Sequence, residues 1–266
     1  MGYTNSFLYQ TDAAILVSLL FIGMLILIRL GSILGRRRDR KDPQKQAIEN
    51  TTILAAIFGL FAFLLGFTFS MSGNRYELRR LSAVKESNAI GTAILRADLY
   101  PAEERLAYRA DLKAYTQTRI DYYYSGSDTK KMDSASQMTK KLGLILWNRA
   151  ATNAKNSTSI FPGNLIIPSL NEMFDAASSN DAGEKFRVPD PIVVMLFSLC
   201  LVCAFFIGYY SSYIGRYDTL ITLGYCVLCA LVIYITLDLD RPRSGLITHQ
   251  ISHQAILDLR SMFDQP

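Results

Sequence analysis

Ile53-Leu-Ala-Ala-Ile-Phe58-Gly59-Leu-Phe61-Ala62-Phe63-Leu-Leu-Gly66-Phe67-Thr-Phe69-Ser70 carries no charged side chain and has no polar face. As a helix, about 20 such residues cross the roughly 30 Å of hydrocarbon in a bilayer. A core helix of a water-soluble protein would show a polar stripe over that length. The stretch therefore reads as a membrane span, near 51–73, and it organises the rest of the chain. Comparable apolar runs lie near 13–34, 191–214 and 218–237. A predominantly polar stretch of more than a hundred residues separates the second run from the third. The expected fold is all-α: four transmembrane helices with a helical polar domain inserted between the second and third. The segments are 1–74 (first hairpin), 75–190 (helical domain), 191–237 (second hairpin) and 238–266 (amphipathic tail).

Charge supports a membrane-bound chain. The 266 residues are 50% hydrophobic with a net charge of +5. Much of the excess follows the first span, in Arg36, Arg37, Arg38, Arg40, Lys41 and Lys45. No aromatics interleave with this cluster, so it reads as a topology anchor beside lipid headgroups and not as a nucleic-acid surface. Met1–Asp12 lacks the basic start and cleavage site of a signal peptide, so the first span is expected to stay in place. With the N-terminus outside, the short cytoplasmic loops are 35–50 and 215–218, the latter with Arg216; the C-terminal tail holds Arg241, Arg243 and Arg260. The count favours that arrangement, and Arg29 can snorkel to the same side. The expectation is a multi-pass protein of the cell inner membrane, with membrane lipids as partners. Its N-terminus, its 75–190 domain and its C-terminus are extracytoplasmic.

All four cysteines fall in spans: Cys200 and Cys203, Cys226 and Cys229. With no carboxylate or imidazole at their depth they read as small packing residues, not a metal or redox centre.

The polar domain reads as helices. Tyr76–Asp98 continues span two without a proline. Pro101 suits the first turn of a new helix, with Glu103 and Glu104 at its positive end. That helix places Tyr108, Leu112 and Tyr115 on one face and ends near Tyr124–Gly126. A third covers about 128–154, with Met138, Leu142, Ile145 and Trp147 as its apolar residues. Ile160–Pro168 reads as a looser segment before a short helix at Ser169–Ala177, with a loop at Ser178–Gly183. Pro189 and Pro191 open span three. In the tail, Ile247, Ile251, Ala255, Leu259 and Met262 recur every three or four residues, as in an amphipathic helix on the membrane or on the domain.

Span two carries two patterns. Ala55, Gly59, Ala62, Gly66 and Ser70 form a stripe of small residues, which in lipid allows close helix approach. Beside it Phe63, Phe67, Ser70, Asn74, Glu77, Leu81, Val84, Asn88, Gly91 and Leu95 follow alternating steps of four and three. Such a seam suits a long helix packed against partners or around an axis. On an axis, Phe63 and Phe67 make a constriction and Ser70, Asn74 and Glu77 a wetter mouth. Off one, the helix is an ordinary packed helix crossing the interface. Ala55, Ala62, Asn88 and Gly91 are its helix-packing positions.

Three stretches carry a resemblance: Phe63-Leu-Leu-Gly66-Phe67-Thr-Phe69; Arg75-Tyr-Glu77-Leu-Arg79-Arg80; and Glu86-Ser-Asn88-Ala-Ile-Gly91-Thr-Ala-Ile-Leu-Arg96-Ala-Asp98-Leu-Tyr-Pro101. Together with Ser169-Leu-Asn171-Glu172-Met173 and the Asp238–Gly245 turn, they resemble the bestrophin-like family of bacterial membrane proteins. That family is named for its similarity to bestrophins, which are pentameric anion channels. The resemblance implies a homo-oligomer, pentameric by analogy. Its pore neck would contain Phe63, Gly66 and Phe67, with Gly59 one turn earlier where bestrophins have a bulkier residue. It implies small ions, anions first, as the permeant species. Asp238 and Asp240 supply only two carboxylates where animal bestrophins have an acidic calcium clasp. The domain of bestrophins is cytoplasmic, the opposite side from that given by the charge count.

No phosphate-binding loop, nucleophile elbow or zinc spacing is present, and no catalytic residue, metal or cofactor is expected. Arg79, Arg80, Arg96 and Glu86 are candidates for interhelical ion pairs. His249 and His253, four apart, lack a third ligand. The expected function is a homo-oligomeric ion channel lined by span two. The alternative is a membrane-anchored sensor or scaffold whose domain binds a partner or ligand through Tyr108, Tyr115 and Tyr122–Tyr124.

Overall fold

The computed structural model describes residues 11–37, 43–126, 128–156, 161–214, 218–241 and 250–264, among which there is no strand. The helices are α1 (Ala13–Arg37), α2 (Pro43–Ala97), α3 (Ala102–Tyr123), α4 (Thr129–Asn156), α5 (Phe161–Gly183), α6 (Asp190–Ile214), α7 (Thr219–Leu239) and α8 (Gln250–Asp258), followed by a 3-10 turn at Leu259–Phe263. Four are long and apolar enough to cross a membrane: α1, α2 from Thr51 onward, α6 and α7. The chain is an all-α membrane protein with two compact units.

The membrane unit comprises Met1–Tyr76 and Arg187–Arg241. Its core joins Val17, Leu20, Met24 and Ile28 of α1 to Val193, Leu196, Cys200 and Ala204 of α6 and Ile233 of α7. The α1–α6 contact is a glycine crossing. A Cβ on Gly31 would sit 2.8 Å from the Tyr209 nitrogen and collide with the Phe205 carbonyl, and one on Gly208 would strike Ile28. Only glycine lets two backbones meet this closely in lipid, where contact depends on packing more than on expulsion of water. Beside this crossing the buried hydroxyls of Ser32 and Ser212 hydrogen-bond at 2.6 Å. The four free cysteines are buried as packing residues, with the Cys200 thiol 3.3 Å from Met24 Sδ.

Asp218 caps α7, its carboxylate accepting from the Leu220 and Ile221 amides at 2.9 and 3.2 Å. At the other end of α7, Asp240 accepts from the Val188 amide at 2.8 Å, and its carbonyl takes a 3.1 Å bond from Arg187. Arg75 donates to the Arg187 carbonyl at 2.6 Å and Arg241 to the Thr11 carbonyl at 2.7 Å. The acidic turn is thus part of a structural belt that joins the helix ends.

The second unit comprises Glu77–Phe186 and Pro242–Pro266. Its core collects Ile90, Ala93, Ile94 and Ala97 of α2, Tyr108, Leu112 and Tyr115 of α3, Leu146 and Ala150 of α4, Ile166, Leu170 and Met173 of α5, and Ile256 of α8. Pro101 is the N-cap of α3, one residue before the helix, and Gly126 beyond its end takes a positive φ of 57°.

Two expectations change here. Residues 161–183 are one helix with Pro168 inside it, not a loose segment, a short helix and a loop; Ile160 lies outside the described residues. An interior proline costs a helix about 3 kcal/mol. Burying Ile166, Leu170 and Met173 at roughly 1.5–3 kcal/mol each outweighs that. The 178–183 stretch is held helical by buried Asn180 and by Asp181, both bonded to α3. On α4 the buried line is Thr139, Leu146 and Ala150, whereas Met138, Ile145 and Trp147 are exposed. The 3.6-residue period selects the first set once α3 and α5 fix which side is inward.

The tail packs on the domain. Ile256 and Leu259 are buried, and the Ser87 hydroxyl donates to the Ala255 carbonyl at 2.7 Å. Ile247 and His249, and the side chains of Ile251 and His253, lie outside the described residues.

Candidate functional site

α2 has one covered edge. Phe61, Thr68 and Ser72 are buried, with the Thr68 hydroxyl returned to the Leu64 carbonyl at 2.7 Å. Residues seven and eleven apart return to the same side of a helix at 3.6 residues per turn, so this edge is a single line.

Roughly half a turn away lie Gly59, Phe63, Gly66, Phe67, Ser70 and Asn74, all exposed. Phe63 is 71% exposed and Phe67 55%, their rings stacked at 6.4 Å with 18° between planes. Among the described residues, nothing approaches a Cβ position on Gly59 or Gly66 within 4 Å. Ala55 and Ala62 are also uncovered. Only 11% of the apolar window of α2 is buried, against 33% in each of the other spans. The sequence-derived pore residues from Gly59 to Asn74 therefore share a face that no other helix covers among the described residues.

Further along α2, Asn88 is exposed, while Gly91 is buried under Leu259 and Met262, whose atoms would meet its Cβ at 3.4 and 3.7 Å. Glu77 is paired by Arg80 one turn on, at 2.7 and 3.0 Å. Its charge is thereby offset along its own helix by Arg80, which was expected in an interhelical pair instead.

The ion pairs of the second unit differ from those expected. Glu86 is not held by Arg79, Arg80 or Arg96. Its partner is Arg119 of α3, through Nε and, at 2.9 Å, Nη2, with both side chains fully buried. Tyr123 donates to Glu86 at 2.8 Å, Asn180 to Tyr123 at 2.8 Å, and Arg119 to Asp181 at 3.0 Å. The Arg119 guanidinium also stacks 4.4 Å from the Tyr122 ring. Burial works against the Arg119 charge, but Glu86 and Asp181 outweigh it and hold its pKa well above the ordinary value. Burial, followed by the Glu86 charge, pushes the Tyr123 phenol far up. The cluster is a satisfied polar core and offers no free acid or base. One signal could have revealed it: Arg119 continues the Tyr108–Leu112–Tyr115 line by four residues. Arg96 instead donates to the Leu165 carbonyl at 3.0 Å.

The second unit also holds a cavity of about 700 Å³ lined by Tyr115, Lys140, Trp147, Phe174, Asp181 and Lys185 among others. Among the described residues no three His, Cys, Asp or Glu side chains group as metal ligands.

Residues 22–256 match the Bestrophin-like domain. The chain belongs to the bestrophin-like family. No curated protein matches it. Among crystal structures, a bacterial bestrophin homologue from Klebsiella pneumoniae is 15% identical, with 92% of this chain and 98% of that one covered and a TM-score of 0.62. A mutated form of the Klebsiella protein gives 16% identity, 92% and 99% coverage and a TM-score of 0.65. A third structure, of a membrane protein, gives 15%, 93%, 100% and 0.66. This bestrophin-like chain shares their fold over nearly its whole length.

Proposed function

We propose that this protein is a homo-oligomeric ion channel in which α2 of each copy faces a common axis. The observation that carries the reading is the uncovered α2 face from Gly59 to Asn74. It is the least buried of the spans, and it presents two large aromatic rings at constant pitch. Membership of the bestrophin-like family supports it. A pentamer follows by analogy with bestrophins. Around an axis, Phe63 and Phe67 form apolar rings that gate by excluding water, and Gly59 leaves the turn before them wide. Ser70, Asn74 and Glu77 form the mouth. Pairing of Glu77 by Arg80 removes the bare carboxylate ring that would favour cations, so the permeant species is a small anion. The inner-membrane location, with the N-terminus, the 75–190 domain and the C-terminus outside, rests on the charge count.

Purified protein in liposomes should pass chloride in preference to potassium. Phe63→Ala with Phe67→Ala should raise that flux severalfold by wetting the constriction. Absence of flux in both proteins, or identical flux, would count against the pore.

The alternative, a membrane-anchored sensor or scaffold, is favoured by one observation, the cavity in the second unit.

A further inference from the structure

The cavity lies on α4 and α5 with α3 at its floor, and its lining includes none of the residues assigned to the ion path. Its walls are apolar and aromatic: Leu144 and Trp147 from α4, Phe174 from α5. Gly143 widens the approach, since a Cβ there would stand 3.2 Å from the Phe174 ring. A volume of about 700 Å³ falls within the usual span for small-molecule sites, which combine apolar walls with a few placed polar groups.

Three polar features define the occupant. Tyr115 is only 1% exposed, and its hydroxyl has no hydrogen-bond partner among the described residues. Folded proteins seldom leave a buried hydroxyl unmatched, because its lost hydration is then uncompensated. Burial pushes the Tyr115 phenol well above its ordinary pKa, so at neutral pH it is a donor awaiting an acceptor. At the rim stand two exposed ammonium groups, Lys140 and Lys185. The one acid on the described lining, Asp181, is already committed: Oδ1 to Arg119 at 3.0 Å and Oδ2 to the Ser136 hydroxyl at 3.3 Å. Among the described residues, the cavity therefore carries positive charge with no paired acid, an unmatched donor and aromatic walls.

We propose that it binds a small organic anion. The apolar body lies between Trp147 and Phe174, a carboxylate meets Lys140 and Lys185, and an oxygen accepts from the Tyr115 hydroxyl. A segment of another polypeptide fits less well, since the buried phenol at the floor calls for an acceptor atom on a body small enough to enter. The site shares no residue with the α2 face, so its failure and the failure of the channel reading are distinct outcomes.

Trp147 is the sole tryptophan of the chain and lines the cavity, so its emission reports occupancy directly. The experiment uses the full-length protein in phosphatidylcholine nanodiscs, titrated with phenoxyacetate, a flat apolar body with a carboxylate and an ether oxygen. Phenoxyethanol serves as the matched compound lacking the charge. The expected result is a saturable change in Trp147 emission with phenoxyacetate and none with phenoxyethanol over the same range. Lys140→Gln with Lys185→Gln should raise the half-saturation concentration at least tenfold. Tyr115→Phe, which keeps the ring and its packing, should raise it at least threefold with an unchanged melting temperature. An unsaturable change, an equal response to phenoxyethanol, or an unaltered midpoint in both variants overturns the proposal. So does a Trp147 shielded from acrylamide without ligand, because another chain would then cover the cavity.

Discussion

Glu86→Gln is the most informative single substitution in the second unit. It keeps shape and volume but removes the charge that faces Arg119. The carboxylate accepts three hydrogen bonds, two from Arg119 and one from Tyr123, with Glu86 and Arg119 both 0% exposed. An amide can accept only at its oxygen, so one guanidinium donor is left facing an NH2 group. Bonds to charged groups contribute roughly 1.5–3 kcal/mol each, and removing one partner of a buried pair costs about 3–5 kcal/mol. The expected loss is about 3–5 kcal/mol, because water cannot enter to solvate the stranded cation and Asp181 holds only one of its edges. Against burial, Glu86 and Asp181 hold the Arg119 pKa well above its ordinary value. A raised pKa contributes stability below the unfolded value and loses it only above the folded one. The cost should therefore be the same from about pH 6 to pH 10. Urea unfolding of full-length protein in detergent, followed by Trp147 emission, measures it. A double-mutant cycle with Arg119→Met should give a coupling energy above about 2 kcal/mol. A loss for Glu86→Gln below about 1 kcal/mol would refute the reasoning, since the pair would then not be isolated from water.

Gly31→Ala should destabilise the membrane unit by about 1–3 kcal/mol or more, because its Cβ meets the Phe205 carbonyl; thermal unfolding in detergent checks this. Gly66→Ala places a methyl in open space within the chain, so it should leave melting unchanged and alter only flux. Asp98 is held below its ordinary pKa of 3.8 chiefly by its hydrogen bond from Arg109. A lowered pKa contributes stability above the unfolded value that is lost as pH falls through the folded one. Between about pH 5 and pH 2 the parent should therefore lose domain stability more steeply than Asp98→Asn, by circular dichroism. Ser134→Cys, on an exposed turn of α4, should react with a membrane-impermeant maleimide in intact cells if the domain is outside; protection would reverse the topology. The native cysteines are all buried and give little background.

The four spans, their order and the helical character of the inserted domain were legible because lipid leaves few choices. Apolar runs of span length must be helices there. The bestrophin-like resemblance was equally visible, in Phe63–Phe69 and Glu86–Pro101. Local pattern also placed the Tyr108–Leu112–Tyr115 face and Leu259 of the tail, but not the buried Ile256 beside it. What one-dimensional pattern could not supply was the choice among equivalent faces. The stripe of small residues on α2 suggested close packing, yet the backbone contact in this chain falls at Gly31, Gly35 and Gly208, where α1 and α6 cross. Glu86 chose Arg119, thirty-three positions away, over the three arginines nearer in sequence, because α2 and α3 bring those two side chains together in the core. Pro168 sits inside a helix because the burial of its neighbours exceeds what the proline removes. In each case the deciding quantity is contact between residues distant in sequence, a property of the folded chain that residue type and spacing do not contain.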